Sequence, residues 1–518
     1  MVPARRLVGA AGLMIVLGLV AVTTPVAITA SGNPDQPPLK LRRSAEAFAK
    51  AEGLPLLVSA ATGTQATPTF TKDVLPILQR SCQGCHRPGT PAPMALTTFA
   101  EVRPWARTIK QKVTRREMPP WHIDRSIGEY VNDPSLSDKQ VATIAAWVDA
   151  GAPEGRAADA PPPVTFPATT EWTYGEPDVV VRMNKGFTIP AQGPDFIPSE
   201  LVDPGFTEDR YVKWVQIIPD AFRAVHHAHV YVDFPEGTDP EGLGLGMGSN
   251  VGNSMDLIEY GAGNDADVFP DGTAKLLKKG SIFRFEGHYH PYGEQVHDRM
   301  RVGIKFYPKG VVPTQVVTSH RIRTGVGNDW VLNRERIEDL LLRAGHKLSI
   351  DEPAMPTGAL IAENPLHAAA YMSIPPNTVV RHERFWPLPK PALVISFQPH
   401  MHFRGSRMQL EAIHPDGRRE LLTDATHYEQ TWQITYKYKT PHLFPAGTIL
   451  HVVSWHDNTT NNKHNPDPTA WIGWGSRTMD EMGHGWTDIA FLTDAQYQEE
   501  LAKRRAQPRT TTAEPRQQ

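Results

Sequence analysis

Both cysteines of the chain fall in one motif, Cys82-Gln-Gly-Cys85-His86. C-x-x-C-H is the attachment pattern of c-type haem. Two thiols add across the haem vinyl groups, and the adjacent imidazole becomes an axial iron ligand. A zinc site would want four Cys or His ligands, and no second cysteine pair exists. The spacing therefore predicts one haem c per chain on Cys82, Cys85 and His86. Met118, in Arg115-Arg-Glu-Met118-Pro-Pro-Trp121-His122, is the sixth-ligand candidate because the prolines after it stiffen its loop; Met94 and His122 are its rivals. His/Met ligation raises the reduction potential and suits electron transfer. A single haem carries one electron at a time, and a di-haem peroxidase would need a second motif.

Eight of the 21 histidines fall in four further clusters in a region without cysteine. They are Val225-His226-His227-Ala-His229, Phe285-Glu286-Gly-His288-Tyr-His290, His400-Met401-His402-Phe-Arg-Gly405, and Thr478-Met-Asp480-Glu481-Met482-Gly-His484. An H-x-H step on a strand puts both imidazoles on one face, so they can share a metal. For His400 and His402 the third ligand is Met482 or else His484. Thioether with imidazole selects copper over zinc or calcium. His226, His227 and His288 would make an all-imidazole set. Three ligands leave a position open for dioxygen, water or substrate.

The elements that must position these groups fall in a definite order. A length of 518 residues predicts several domains. Apolar residues make up 40% and charged residues 21%, which excludes a disordered chain or a coiled coil. Lys and Arg number 53 against 56 Asp and Glu, so no general attraction to nucleic acid or anionic membrane follows. Residues 1–30 read as a signal peptide or N-terminal anchor: Arg5 and Arg6, the apolar run Leu7 to Val22, then Ala27-Ile-Thr-Ala30. This predicts export to the periplasm or beyond, with membrane contact only through such an anchor. Residues 31–65 are a linker. Residues 66–156 read as a small all-α cytochrome c domain, with a helix from Phe70 leading into the haem motif and a closing helix from Ser137, its cap, to Gly151. Residues 157–170 are a Pro-rich linker. From 171 onward, short runs rich in Val, Ile, Tyr and Phe alternate with turns. Tyr211 to Ile218, His229 to Phe234, Arg301 to Tyr307, Leu393 to Phe397 and Thr448 to Trp455 are examples. They predict two β-sandwiches, at 171–315 and 316–497, with one helix at Asn333 to Arg343 and a disordered tail at 498–518. The fold class is thus mostly β, two sandwiches preceded by a small helical domain. A multicopper oxidase is disfavoured because no cysteine remains for a blue-copper centre, and a haem-copper oxidase because no set of membrane-spanning runs is present.

The four clusters, in this order, resemble the copper type II, ascorbate-dependent monooxygenases, the peptidylglycine α-hydroxylating and dopamine β-hydroxylating enzymes and their bacterial relatives. The matching residues are His226-His227, His288-Tyr289, His400-Met401-His402 and Thr478-Met-Asp480-Glu481-Met482, and the resemblance spans about residues 175–497. It implies two jelly-roll-like sandwiches holding two coppers per chain across a wet cleft. His226, His227 and His288 would hold the electron-storing copper. His400, His402 and Met482 would hold the copper that activates dioxygen, so that one oxygen atom enters a C–H bond of a small-molecule or peptide-like organic substrate. The family's usual donor is ascorbate, so the resemblance implies an ascorbate-like or protein donor; the fusion itself suggests that the tethered haem feeds the first copper. Departures from the family are the missing disulfides, Met401 in place of Thr, Glu286 in place of Gln, and extra histidines at His229, His290 and His484. The alternative reading is a copper- and haem-containing electron-transfer or copper-handling protein without oxygenase chemistry.

Overall fold

The structure is a computed structural model that describes residues 67–90, 92–131, 133–168, 170–239, 254–261, 264, 266–325, 374–475 and 477–506. The leader and linker read at 1–65 and the helix read at 333–343 lie outside the described residues. No described helix is long and apolar enough to cross a membrane.

The described residues begin with a helical segment. A π-helical turn, Phe70–Val74, runs into α1 (Leu75–Ser81), which ends at Cys82. There follow α2 (Phe99–Val102), α3 (Ala106–Thr114) and α4 (Asp138–Asp149). Thr98 with Glu101, and Ser137 with Gln140, form capping boxes that satisfy the first amides of α2 and α4. Gly151, at φ +87°, takes the left-handed position that stops α4. Phe70, Leu78, Ile109, Ile144 and Trp147 close a small apolar core.

Nineteen strands follow among the described residues. The first half holds β1 (Val179–Arg182), β2 (Phe187–Ile189), β3 (Ser199–Val202), β4 (Arg210–Ile218), β5 (Val225–Asp233), β6 (Ser254–Gly261), β7 (Ala266–Val268), β8 (Thr273–Leu277), β9 (Ile282–Tyr289), β10 (Val296–Asp298) and β11 (Arg301–Phe306). The second holds β12 (Gln315–Arg323), β13 (Val379–Pro387), β14 (Ala392–Met401), β15 (Gly405–Ile413), β16 (Arg419–Ala425), β17 (Tyr436–Phe444), β18 (Ile449–Asp457) and β19 (Gly483–Phe491). The long Val/Ile-rich runs read from the sequence are all strands.

The sheet β3-β9-β5-β6 packs on β1-β11-β4-β8 through a core that includes Val230, Val232, Phe283, Phe285, Ile217 and Ile304. The sheet β13-β18-β15-β16 packs on β12-β19-β14-β17 through Met408, Leu410, Val452, Val394, Phe397 and Ile489. The molecule is therefore mostly β, built of sheets stacked face to face.

The two halves do not separate at residue 315. β12 pairs in parallel with β8 at Gln315–Thr273, which joins both halves into one nine-stranded sheet. β14 is buried along its whole length. Leu393 and Ile395 face the first core, whereas Val394 and Phe397 face the second, and a register shift after Val394 resets the alternation. A strand buried on both faces reads as a continuous apolar run, as Ala392 to Phe397 does.

The tail differs from the expectation. Residues 494–506 form α5 (Asp494–Ala506). Thr493 and Gln496 make reciprocal hydrogen bonds at its start, Lys503 pairs with Glu499, and Arg504 donates to the Pro441 carbonyl at 2.7 Å. The charge-rich composition suggests disorder, but capping and one anchoring contact favour a helix. Residues 507–518 lie outside the described residues.

Candidate metal centre

His226 and His227 are adjacent, and strict alternation would send them to opposite faces of β5. The pairing of β5 with β9 shifts register between Val225 and His227, a bulge that re-aims a side chain. His227 then lies opposite His288. The ligand nitrogens of His226, His227 and His288 fall within 4.8 Å of one another. Their ring centroids are 5.0 to 5.2 Å apart.

The second pair sits at the end of β14. His400 and His402 have ring centroids 5.5 Å apart, as the two-residue period predicts. On the neighbouring β19, His484 lies opposite His400 and stacks on it at 5.6 Å. Met482 is half-buried against Ile374 and Trp474, and its carbonyl receives His456 Nε2 at 3.0 Å. None of the described contacts brings its thioether to the imidazoles.

The two sets adjoin. His227 and His400 are 5.3 Å apart, ring to ring. Gln433 spans them: its Oε1 accepts from His400 Nδ1 at 2.5 Å, and its Nε2 donates to His226 Nε2 at 3.4 Å. Where the family resemblance implies a wet cleft, these buried rings are in contact.

Partners around the imidazoles fix which nitrogen carries a proton. His402 Nδ1 donates to the Asp480 carbonyl at 3.1 Å and His400 Nδ1 to Gln433, which leaves both Nε2 lone pairs for a ligand role. His288 Nε2 donates to Asp195 Oδ2 at 3.1 Å, so its Nδ1 lone pair faces His227 Nε2 at 3.2 Å. Asp195 also accepts from the Thr478 amide at 2.9 Å and from the Thr478 hydroxyl. The Thr478-to-Met482 segment thus reaches the first set. Its Glu481 is fully buried and accepts from the His402 amide at 3.0 Å and the Arg404 amide at 2.5 Å. Arg404, buried as well, donates to the Met479 carbonyl at 2.8 Å. Burial pushes the Glu481 carboxyl up to about 7, against the pull of those amides.

Electrostatics favour neutral, ligand-competent rings. Burial first, and neighbouring imidazoles second, push His226, His227 and His400 well below the usual histidine range; burial takes His402 to about 4. Burial and then Arg321 lower His484. His229 behaves oppositely. Burial works against its charge, but Glu259 and Asp256 together prevail and hold it protonated to about 9. His229 also lies with His227 and Glu259 in a buried group whose ligand atoms fall within 4.8 Å of one another. His290 stacks on His226 at 4.5 Å and faces Asp195 at 3.5 Å. Glu286 faces Arg284 at 3.9 Å; the carboxylate that orients His288 is Asp195.

At the haem motif, His86 Nδ1 donates to the Met94 carbonyl at 3.2 Å, which directs its Nε2 lone pair outward. Burial first, and the neighbouring Cys85 second, push the Cys82 thiol up to about 12. Met118 is half-buried after α3. His122 is instead held at the second half of the molecule, its amide donating to the Tyr436 hydroxyl at 3.4 Å, and burial lowers it to about 4.

The donor sets therefore fit metals. Buried His227 Nδ1 and His484 Nε2 have no hydrogen-bond partner, an arrangement that costs energy unless something binds there. Asp195, Gln433 and Glu481 were missed by sequence reasoning. Glu481 alone had a cue, its place inside a quoted motif.

No family model matches the chain, and no curated protein does. Among solved structures, PNGF-II is similar at 8% identity and TM-score 0.23, covering 60% of this chain and 65% of that one. Allantoicase follows at 9% and 0.13, covering 50% and 77%, and Bacillus subtilis oxalate decarboxylase at 10% and 0.12, covering 65% and 86%. The chain thus spans just under two thirds of the first of these.

Proposed function

We propose that this chain is an exported copper-dependent monooxygenase with its own c-type haem, hydroxylating a C–H bond of an organic substrate. The single observation that supports it most is the adjacency of two buried, neutral imidazole sets, His226/His227/His288 and His400/His402, on neighbouring strands. Met482 or His484 would complete the second set. Copper bound there would supply the two one-electron equivalents that dioxygen reduction needs. In the balanced reaction, the C–H bond becomes C–OH, the other oxygen atom leaves as water, and two electrons and two protons are consumed.

The chain's own residues do the preparing. Asp195, Gln433 and the Asp480 carbonyl each hold one imidazole proton, so the opposite nitrogen is free to coordinate. Glu481 and Arg404 tie the Thr478-to-Met482 segment to the His402 turn. Cys82, Cys85 and His86 would hold the haem, with Met118 as its sixth ligand. The jelly-roll form of the sandwiches and the cytochrome c form of residues 66–156 belong to the same proposal.

The test is elemental analysis of the exported protein, followed by dioxygen uptake with ascorbate and candidate C–H substrates. Two coppers and one iron per chain, with uptake coupled to a hydroxylated product, support the reading. Haem without copper overturns it. The close packing of His227 on His400 favours a second reading, an electron-transfer or copper-handling protein; both metals without coupled uptake would establish that one.

A further inference from the structure

The segment that follows Met118 packs as part of the second half of the molecule. Trp121, Ile123 and Tyr130 are buried in the same core as Phe397, Met408 and Tyr436. Ile123 bridges Ala425, and Tyr130 bridges Tyr438. The Asp124 amide donates to the Asp424 carbonyl at 2.7 Å, the Val131 amide to Lys437 at 3.0 Å, and the Lys439 amide to Glu129 at 2.8 Å. The Trp121 ring meets Tyr436 edge-on at 4.8 Å, and Tyr130 packs on Trp121, Tyr436 and Tyr438 at 5.9, 5.7 and 5.4 Å. Domains that move independently meet through modest, polar surfaces. This contact is an aromatic cluster edged by backbone hydrogen bonds.

The cluster continues toward the imidazoles. Tyr436 and Ile434 face the apolar core, while Gln433 and Thr435 face the polar side, Thr435 donating to Gln398 at 3.2 Å. Gln433 meets His400 at 2.5 Å and His226 at 3.4 Å. Between Met118 and His400 the step onto Tyr436 is made twice, by the ring contact of Trp121 and by the His122 amide donating to the Tyr436 hydroxyl at 3.4 Å; every other step is a bond or a hydrogen bond.

We infer that residues 119–131 are a docking strap fixing the haem-bearing segment on the second half of the molecule, and that Met118, Trp121, Tyr436 and Gln433 form the route by which an electron reaches the metal centre at His400. The inference rests on the haem and copper of the proposed function. It changes the entry point from the first imidazole set to the second. Along the route one electron leaves a ferrous haem, which becomes ferric, and converts a cupric ion at His400 and His402 to cuprous; no atom or proton is transferred.

Two measurements test it. The full-length holoprotein, freed of oxygen, is mixed rapidly with dithionite sufficient to reduce the haem. Haem absorbance and the cupric paramagnetic signal are followed together. The wild type shows a fast phase of haem reoxidation matched by loss of the cupric signal. Tyr436→Leu, which removes both the ring contact and the hydrogen bond from the His122 amide, loses that phase with haem spectrum and copper content intact, and Tyr436→Phe, which keeps a ring against Trp121, retains it. Reoxidation of Tyr436→Leu at the wild-type rate overturns the route. Hydrogen exchange of the unaltered protein tests the strap without any metal: the Asp124, Val131 and Lys439 amides are protected, and exchange at the rate of a free loop overturns the docking. Absence of copper or haem from the purified protein would instead strike the proposed function and leave the exchange result standing on its own.

Discussion

Asp195 shows how much of the centre depends on side chains that carry no sequence cue. It lies in the Gln192-Gly-Pro-Asp195 turn, far along the chain from His288, yet it holds the His288 proton and the Thr478 amide. Its hydrogen bonds from His288 and Thr478 overcome the effect of burial and hold its carboxyl well below the usual range. Removing a partner that orients a metal-ligating histidine commonly costs about 10- to 100-fold in metal affinity. Asp195→Asn should therefore weaken copper binding at the first set by that order, read by competitive titration with a chelator, while the haem spectrum stays unchanged. His288→Ala should remove the first-set copper outright, read as a loss of about one copper per chain by elemental analysis. The imidazoles themselves were legible, because H-x-H spacing and an H-H pair are visible in one dimension. Asp195 and Gln433 were not, because long-range pairing brings them in. The sequence also left His229 open; its acidic neighbours Asp256 and Glu259 arrive from β6 and raise its affinity for a proton.

Among the elements, the turn from β14 into β15 carries the tightest constraint. His402 leaves β14 and Gly405 opens β15. A Cβ on Gly405 would strike the Met401 Cβ and come within 2.9 Å of the Tyr428 ring. Tyr428 cannot retreat, since its hydroxyl accepts from the Met401 amide at 2.9 Å and donates to the Met401 carbonyl at 2.6 Å. Gly405→Ala should cost about 1–3 kcal/mol by overpacking. Urea melts would read that loss, and copper analysis would show depletion of the second set. Strand positions here were legible from alternating apolar runs. The bulge at Val225–His227 was not, because a bulge reflects which partner strand a chain meets. That bulge is what lets an adjacent pair of histidines share one face.

For the whole molecule, burial of neutral histidines sets the response to acid. Burial lowers His320, on β12 between Trp386 and Phe491, to about 3, and likewise His456 on β18. Unfolding restores their ordinary affinity for protons, so the unfolded chain binds more protons wherever pH lies below about 6.5 and above about 3. Stability contributed by these groups is full above that window and is lost as pH falls through it, by on the order of a few kcal/mol per group. Thermal unfolding of the metal-free protein should show the melting temperature falling steadily from neutral pH to pH 4, and His320→Leu should flatten part of that slope. A melting temperature independent of pH in that range would contradict the burial of these rings. Composition and turn spacing made the stacked sheets legible, but not their fusion, since the short pairing of β8 with β12 leaves no mark on either strand.

That fusion governs how the molecule can fail. With β8 hydrogen-bonded to β12, and β14 gripped by apolar side chains above and below, neither half possesses a complete core of its own. Heating should then produce one calorimetric transition spanning both halves, and cutting the gene between codons 315 and 316 should yield two insoluble fragments instead of two working modules.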